Sequence, residues 1–170
     1  TKQVNPFEQG WLTDLIDIHC HLLPAVDDGS KSIEETLSLI DLLEEIGVKQ
    51  HILTPHIMEE YPSNDAIFLR ARFEELLAAI TPDKASRLRI AAEYMLDAAF
   101  LDRLAEPLLT LGDRYILVET SYMAPPIGLM GLLADLRFKG LSPVLAHPER
   151  YLYMEEKDYV AIKKQGVMFQ

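Results

Sequence analysis

The sequence predicts an α/β fold in which short parallel strands alternate with helices. Short apolar runs recur along the 170 residues, and each is followed by a segment with apolar residues at helical spacing. Side chains of the metal-ligand type stand at the ends of these runs. Such alternation is typical of right-handed βα units, which build a parallel sheet or a barrel. In these folds the chemistry lies on loops at the carboxyl ends of the strands.

The first predicted βα unit begins with "LIDIH", residues 15–19, as a short buried strand. A helix is predicted over residues 32–47, because Ser32 and Glu35 have the spacing of a capping box and Gly47 stands at the C-cap position. Its apolar residues also fall at helical spacing, namely Ile33, Leu37, Ile40 and Leu43.

The same pattern continues to the last printed residue. Further strands are predicted at residues 51–56, 89–96, 115–122, 142–150 and 166–170. Helices are predicted between them, near residues 66–80, 98–106, 128–139 and 157–165. Pro107 is expected to end the helix near 98–106, since proline cannot continue a helix.

The composition limits the class of protein. A chain of 170 residues is expected to form one domain, and its net charge of -11 argues against a nucleic-acid surface. The single cysteine excludes an internal disulfide and fits a reducing compartment. No apolar run approaches ~18 residues, the length of a membrane span. We therefore expect a cytoplasmic protein without a transmembrane segment.

The stretch "DIHCHLLPAVDDG", residues 17–29, suggests either a metal site or a nucleophilic cysteine. Thiolate phosphatases place an arginine six residues after the cysteine, to hold the phosphate. Here Val26 occupies that position after Cys20, and the first arginine is Arg70. The cysteine mechanism is therefore excluded, and Cys20 is expected to be a small buried residue.

The metal interpretation is supported by where the ligand-type residues fall. Strand spacing places His19 and His21 on one face with Asp17, while Cys20 points away. The predicted strands end in ligand-type residues five times in succession, at His19 and His21, His56, Glu93, Glu119 and His147. Asp28 lies within reach, whereas His51 starts a strand and breaks the pattern. These loops would hold more than one divalent ion.

Each candidate ligand also has a structural alternative. Asp28 stands in an Asp-Asp-Gly sequence that also favours a turn, and His56 follows Thr-Pro and could satisfy local backbone groups. Glu93 and Glu119 stand in apolar strands, where either a cation or a buried arginine would compensate the carboxylate. His147 could instead be a core histidine that hydrogen bonds to the backbone.

Arg150 is the positive charge in the "AHPER" sequence that is placed to clamp a phosphate group in a bidentate manner. Its alternative role is a surface salt bridge. With a net charge of -11, any phosphate-bearing substrate must be met by local positive charge, from metal ions or from such an arginine.

The motifs "DIHCHLLPAVDDG", "TPH", "AAEYMLD", "VETSY" and "LAHPERY" resemble those of the polymerase-and-histidinol-phosphatase (PHP) superfamily. More narrowly, they resemble the manganese-dependent protein tyrosine phosphatases of bacterial capsule and exopolysaccharide clusters. The resemblance begins at residue 15. It implies an N-terminal lead-in over residues 1–14 and a PHP-type domain over residues 15–170.

The resemblance implies a distorted, TIM-like (β/α) barrel with three metal ions. Carried over to this sequence, the resemblance assigns His19 and His21 to one ion and makes Glu93 a bridge between two ions. It assigns Glu119 and His147 to a second ion, and Asp28 and His56 to a third ion. The final Asp-x-His motif of the family has no counterpart, because no Asp or His follows Asp158. We therefore expect a barrel without its last strand or strands, which lacks two of the family's metal ligands, one Asp and one His.

The implied activity is hydrolysis of phosphotyrosine on a protein, by a metal-bound hydroxide with Arg150 binding the phosphate. Manganese is expected, and iron or zinc would suit the same ligands. The implied partner is the tyrosine-rich tail of a polysaccharide-assembly tyrosine autokinase. Two alternatives stay open: a small-molecule phosphoesterase of the histidinol-phosphatase type, and an inactive structural or regulatory barrel. The sequence leaves the oligomeric state undetermined.

Overall fold

A computed structural model describes residues 13–170, so the predicted lead-in over residues 1–14 lies almost wholly outside the described residues. The strands are β1 Leu15–Cys20, β2 Val48–Leu53, β3 His56–Ile57, β4 Leu88–Ile90, β5 Glu93–Met95, β6 Tyr115–Glu119, β7 Ser142–Leu145 and β8 Met168–Phe169. The helices are α1 Ile33–Glu45, α2 Ala66–Ala79, α3 Pro82–Ser86, α4 Phe100–Arg103, α5 Leu129–Phe138 and α6 Glu156–Lys164, with a 3-10 turn at Pro148–Arg150.

Among the described residues, the first of two compact units comprises residues 13–55 and Phe68–Ala91. Its strands form a parallel sheet in the order β1-β2-β4. Apolar side chains from the sheet and from α1 and α2 are buried, among them Ile40, Leu53, Leu69, Leu76 and Leu88. This sheet carries the histidines of the first motif at the end of β1.

The second unit comprises His56–Ile67 and Ala92–Gln170. Its five strands are all parallel, in the order β3-β5-β6-β7-β8. The central strands are buried on both faces, as expected for a parallel sheet between helices. Buried side chains include Tyr94, Phe100, Ile116, Leu133 and Leu145.

The helices largely confirm the predictions. The Ser32 hydroxyl accepts a hydrogen bond from the Glu35 amide and caps α1, and Gly47 follows the helix with φ +106°. The predicted capping box is only half formed, because the Glu35 carboxylate accepts from the Lys31 amide instead. Helix α4 ends at Arg103, earlier than predicted. Between residues 13 and 170, no helix combines the length and apolar character needed to cross a membrane.

Two predicted strands are each divided in two. Within residues 51–56, one strand ends at Leu53 and the next begins at His56. Within residues 89–96, one strand ends at Ile90 and the next begins at Glu93. Pro55 lacks the amide hydrogen that a central ladder position would need. The described strands thus form two hydrogen-bonded parallel sheets, and no closed barrel.

The prediction that Asp17 and Cys20 point to opposite faces of β1 was wrong. Donor atoms of Asp17 and Cys20 lie within 4.8 Å of each other, whereas strict alternation would place these side chains on opposite faces. The β1–β2 ladder shifts register between the two residues, and this irregularity turns both toward the same region.

Candidate metal centre

The ligand-type residues of the second unit are brought together by strand register. His56 begins β3 and pairs with Glu93, which begins β5, and Glu93 in turn pairs with Leu117 on β6. Glu119 lies two residues beyond Leu117 and therefore points to the same face of the sheet. His147 follows the end of β7 by two residues. The four residues converge as the sequence predicts.

Their polar atoms are in direct contact. His56 Nδ1 lies 3.2 Å from Glu93 Oε2 and 3.0 Å from Glu119 Oε1. His147 Nε2 lies 3.0 Å from Glu93 Oε1 and 3.5 Å from Glu119 Oε2. Each carboxylate therefore faces both imidazoles. Donor atoms of His56, Glu93 and Glu119 also lie within 4.8 Å of one another, a separation that one ion can span.

The burial and charge of this cluster fit a divalent cation. Glu93 is fully buried and Glu119 is 2% exposed. Two carboxylates in such a space lose their hydration and repel each other, which is costly without a compensating positive charge. Imidazole binds metals in its neutral form and supplies a ligand without adding charge. Mixed imidazole and carboxylate ligands suit manganese, iron or zinc.

His147 is held in a strained backbone conformation. Its φ of +31° and ψ of 54° lie in the left-handed region, which is unfavourable for a residue other than glycine, and it precedes Pro148. Such strain costs about 1–3 kcal/mol and is concentrated at functional sites. The Tyr122 and Tyr151 rings pack against the imidazole, each with its centroid 5.8 Å away. The fold thus fixes this side chain at the cluster.

Arg150 lies three residues beyond His147 and is exposed. Its Nη1 donates a hydrogen bond of 3.1 Å to the Tyr122 hydroxyl, and its guanidinium lies 5.8 Å from the centre of that ring. The hydrogen bond to Tyr122 raises the pKa of Arg150 further above its ordinary value. The structure thus presents a permanent cation whose position is restrained by an aromatic ring.

Tyr151 supports the base of the same region. Its hydroxyl donates to the Ala146 carbonyl at 2.8 Å and accepts from the Thr120 amide at 3.3 Å. Burial, the largest cause, raises the pKa of Tyr151 well above its ordinary value, and the nearby carboxylates of Glu119 and Glu93 add to the shift. The side chain is therefore a neutral hydrogen-bonding support that joins the ends of β6 and β7.

The first unit carries a second group of ligand-type residues. A ring nitrogen of His19 lies within 4.8 Å of one of His21, with the ring centroids 5.5 Å apart. His21 Nδ1 lies 2.8 Å from Asp27 Oδ2, and the Asp27 side chain is completely buried. This hydrogen bond places the proton on Nδ1, so Nε2 is left to bind a metal.

The loop after β1 places Asp28 beside this group. Asp28 is exposed, and one of its carboxylate oxygens lies within 4.8 Å of a His21 ring nitrogen. Asp27 Oδ1 accepts from the Gly29 amide at 2.9 Å, and the Ser30 amide donates to the His21 carbonyl at 3.0 Å. The turn alternative for this sequence is therefore correct for Asp27, while Asp28 remains a candidate ligand.

Sequence reasoning missed two residues of these sites. It gave Asp27, the hydrogen-bond partner of His21, a role only in a turn, and it assigned no role to Tyr122, the partner of Arg150. The sequence carried a signal for both, because each residue lies in a motif that contains a predicted ligand. Asp27 directly precedes Asp28, and Tyr122 lies in the same motif as Glu119. Nothing in the spacing distinguishes which of two adjacent aspartates turns inward.

Comparisons with known proteins identify a family for the chain. The family model described as "Capsular polysaccharide synthesis, CpsB/CapC" matches residues 15–170. The tyrosine-protein phosphatase YwqE of Bacillus subtilis is 32% identical over 144 residues, covering 80% of this chain and 55% of that protein. The tyrosine-protein phosphatase CpsB of Streptococcus pneumoniae is 35% identical over 155 residues, covering 85% of this chain and 60% of that protein.

A solved structure gives the same result. One chain from the crystal structures of YwqE from B. subtilis and CpsB from S. pneumoniae, unique metal-dependent tyrosine phosphatases, matches with a TM-score of 0.80 at 30% identity. The match covers 92% of this chain and 65% of that one. The chain thus spans between half and two thirds of the length of these relatives. It belongs to the CpsB/CapC family of capsular polysaccharide synthesis.

Proposed function

We propose that the chain carries the metal-binding site of a metal-dependent protein-tyrosine phosphatase that acts in capsular polysaccharide synthesis. The observation that carries this proposal is the buried cluster of His56, Glu93, Glu119 and His147. Its relatives YwqE and CpsB are named tyrosine-protein phosphatases, which supports the same activity for this chain.

In this proposal the second unit holds a divalent ion through the four residues of the buried cluster. In the first unit, His19, His21 through Nε2, and Asp28 are the proposed ligands. When bound, divalent ions supply a water-derived nucleophile near neutral pH and positive charge for the phosphoryl oxygens. Four features remain predictions from the sequence: the binding of three ions, manganese as the metal, the PHP-type barrel and the cytoplasmic location.

The role proposed for Arg150 is to bind the phosphate. Its guanidinium offers two parallel donors to the non-bridging oxygens, a geometry that lysine lacks. The Tyr122 ring holds the guanidinium in place before the substrate arrives, which lowers the entropy lost on binding. A phenolate leaving group, as in phosphotyrosine, needs less protonation than an alkoxide. The chain's residues therefore need to orient the phosphate more than to donate a proton.

The surface of the second unit supports a protein substrate. Several large apolar side chains are exposed along the segment after β6 and beside Arg150, namely Tyr122, Met123, Ile127 and Leu152. A groove of about 620 Å³ lies on the same unit, lined by apolar residues that include Pro125, Leu129, Met130 and Met154. Such open apolar surface suits the residues that flank a phosphotyrosine. The tail of a tyrosine autokinase is the proposed partner.

The test is release of phosphate from a phosphotyrosyl peptide by the chain supplied with Mn²⁺. The matched pair of variants is Glu93→Gln, in the buried cluster, and Glu106→Gln, at an exposed position outside it. Because loss of a direct ligand costs at least as much as loss of a group that orients one, Glu93→Gln should lower kcat/KM by about 100-fold or more. Glu106→Gln should leave it unchanged.

Substrate choice is tested in the same assay with a small phosphate ester in place of the peptide. A charge introduced by Met130→Asp, in the apolar groove, should raise KM for the peptide and leave turnover of the small ester unchanged. Equal turnover of Glu93→Gln and the unaltered chain would contradict the proposed site. Efficient hydrolysis of the small ester alone would contradict the protein substrate.

A further inference from the structure

His51 is a buried histidine that the proposed phosphatase site does not use. It lies on β2 in the first unit, where it pairs in the ladder with Asp17 of β1. Its side chain is completely buried, and neither ring nitrogen has a hydrogen-bond partner among residues 13–170. A buried imidazole left in this state loses the hydrogen bonds it made to water in the unfolded chain, so the position calls for an explanation.

The residues next to His51 offer the explanation. One donor atom each from Asp17, Cys20 and His51 lie within 4.8 Å of one another. The register shift in β1 brings the Cys20 side chain to the same region as Asp17, as described above. The cluster therefore joins a thiol, a carboxylate and an imidazole on two adjacent, hydrogen-bonded strands.

We infer that Asp17, Cys20 and His51 form a separate binding site for a borderline-soft divalent cation such as Zn²⁺. Thiolate, imidazole and carboxylate are the three ligand types that zinc takes in proteins. Three protein ligands leave a fourth tetrahedral position for water. Water can reach it, because Asp17 and Cys20 are only half-buried.

Charge balance favours the cation. Binding replaces the thiol proton of Cys20, which passes to solvent, and forms a metal–sulfur bond. The net charge of the occupied site is then zero, because the dication is balanced by one thiolate and one carboxylate and the imidazole is neutral. The site therefore buries no net charge.

A thiol that coordinates a metal ion is deprotonated, so a bound dication would hold Cys20 as the thiolate that this charge balance requires.

Cys20 is the only cysteine of the sequence, which makes the inference open to a direct spectroscopic test. Co²⁺ substitutes for Zn²⁺ and gives a thiolate-to-cobalt charge-transfer absorption only when sulfur is a ligand. We expect this absorption when Co²⁺ is titrated into the metal-free chain, and its loss on addition of Zn²⁺. Cys20→Ser should abolish it.

Variants of two histidines separate this site from the phosphatase site. His51→Gln should weaken cobalt binding at the sulfur site by about 10-fold or more, measured by the charge-transfer absorption. His56→Gln removes a proposed ligand of the other site and should leave that absorption unchanged. Far-ultraviolet circular dichroism of each metal-free variant shows whether it is folded. If His51→Gln does not fold, protection of the Cys20 thiol from alkylation by Zn²⁺ in the unaltered chain tests the same site.

Any of three results would overturn the inference. The first is cobalt bound to the chain, measured by equilibrium dialysis, without any thiolate absorption. The second is an absorption that persists in folded His51→Gln with unchanged affinity. The third is thiol alkylation at the same rate with and without Zn²⁺. None of these results depends on phosphatase activity, so the proposed function stands or falls separately.

Discussion

Gly29 is the position where a single added carbon should disturb the proposed metal ligands most. A Cβ built on Gly29 would lie 2.0 Å from the His21 carbonyl oxygen and 2.5 Å from the His21 Cβ. Real Cβ contacts are essentially never below 3.0 Å, so the backbone of His21 must move by about 1 Å. We therefore predict that Gly29→Ala displaces the His21 imidazole.

The size of the effect follows from that displacement. A misplacement of 1 Å in a catalytic group can cost about 100-fold in rate, so kcat/KM for a phosphotyrosyl peptide should fall by this order. Overpacking of this kind costs about 1–3 kcal/mol of stability. In a domain of this size that corresponds to a decrease of about 2–12 °C in Tm.

The assay compares Gly29→Ala with Gly131→Ala, a matched control on α5. Apart from its chain neighbours and its own helix backbone, a Cβ at Gly131 meets no atom of the described residues within 4 Å. Alanine there should therefore raise helix stability by about 0.5–1 kcal/mol and leave turnover unchanged. His21→Ala gives the activity expected when the ligand is lost altogether. Unaltered turnover and Mn²⁺ affinity in Gly29→Ala would refute the claim that this close backbone approach positions His21.

Three further predictions concern the support of the site and of the fold. Asp27→Asn should lower Mn²⁺ affinity by about 10–100-fold, because the introduced side-chain amide no longer fixes the His21 tautomer. Unchanged affinity in a calorimetric titration would contradict this prediction. Arg150→Lys should raise KM for the peptide several-fold at constant Tm, since lysine cannot hold two oxygens side by side, and an equal KM would argue against a phosphate contact. Ser32→Ala removes the cap on α1 and should lower stability by about 1 kcal/mol, measured by denaturant unfolding, with turnover unaffected.

The sequence was sufficient to predict the alternation of strands and helices, because apolar periodicity and caps are local signals. Helix α2 lies where its apolar spacing predicts it, over Ala66–Ala79. The breaks after Leu53 and Ile90 were not predictable in this way. An apolar run looks the same whether its residues pair within one sheet or pass from one sheet to another.

The candidate site was predictable to a similar extent. His56, Glu93, Glu119 and His147 were expected to converge because the ends of neighbouring parallel strands meet at one edge, and the structure confirms this. The inward turn of Asp27 was not predictable. It depends on a single close approach of the backbone, and adjacent identical residues carry no signal of which one is buried.

The clustering of Cys20 with His51 lay further outside sequence reasoning. Strict alternation predicts opposite faces for Asp17 and Cys20, and only the register shift in the β1–β2 ladder brings their donor atoms together. Irregularities of this kind arise from the pairing of strands and leave no mark in composition or periodicity.

The most direct test of the central claim, that the buried carboxylate–imidazole cluster binds a divalent cation, is the metal content of the purified chain. Elemental mass spectrometry should be performed without chelator on the unaltered chain, on Glu119→Gln, and on Glu106→Gln as an exposed control. We predict that Glu119→Gln contains at least one manganese, iron or zinc ion per chain fewer than the other two proteins. Equal metal content in all three, or none in the unaltered chain, would contradict the account.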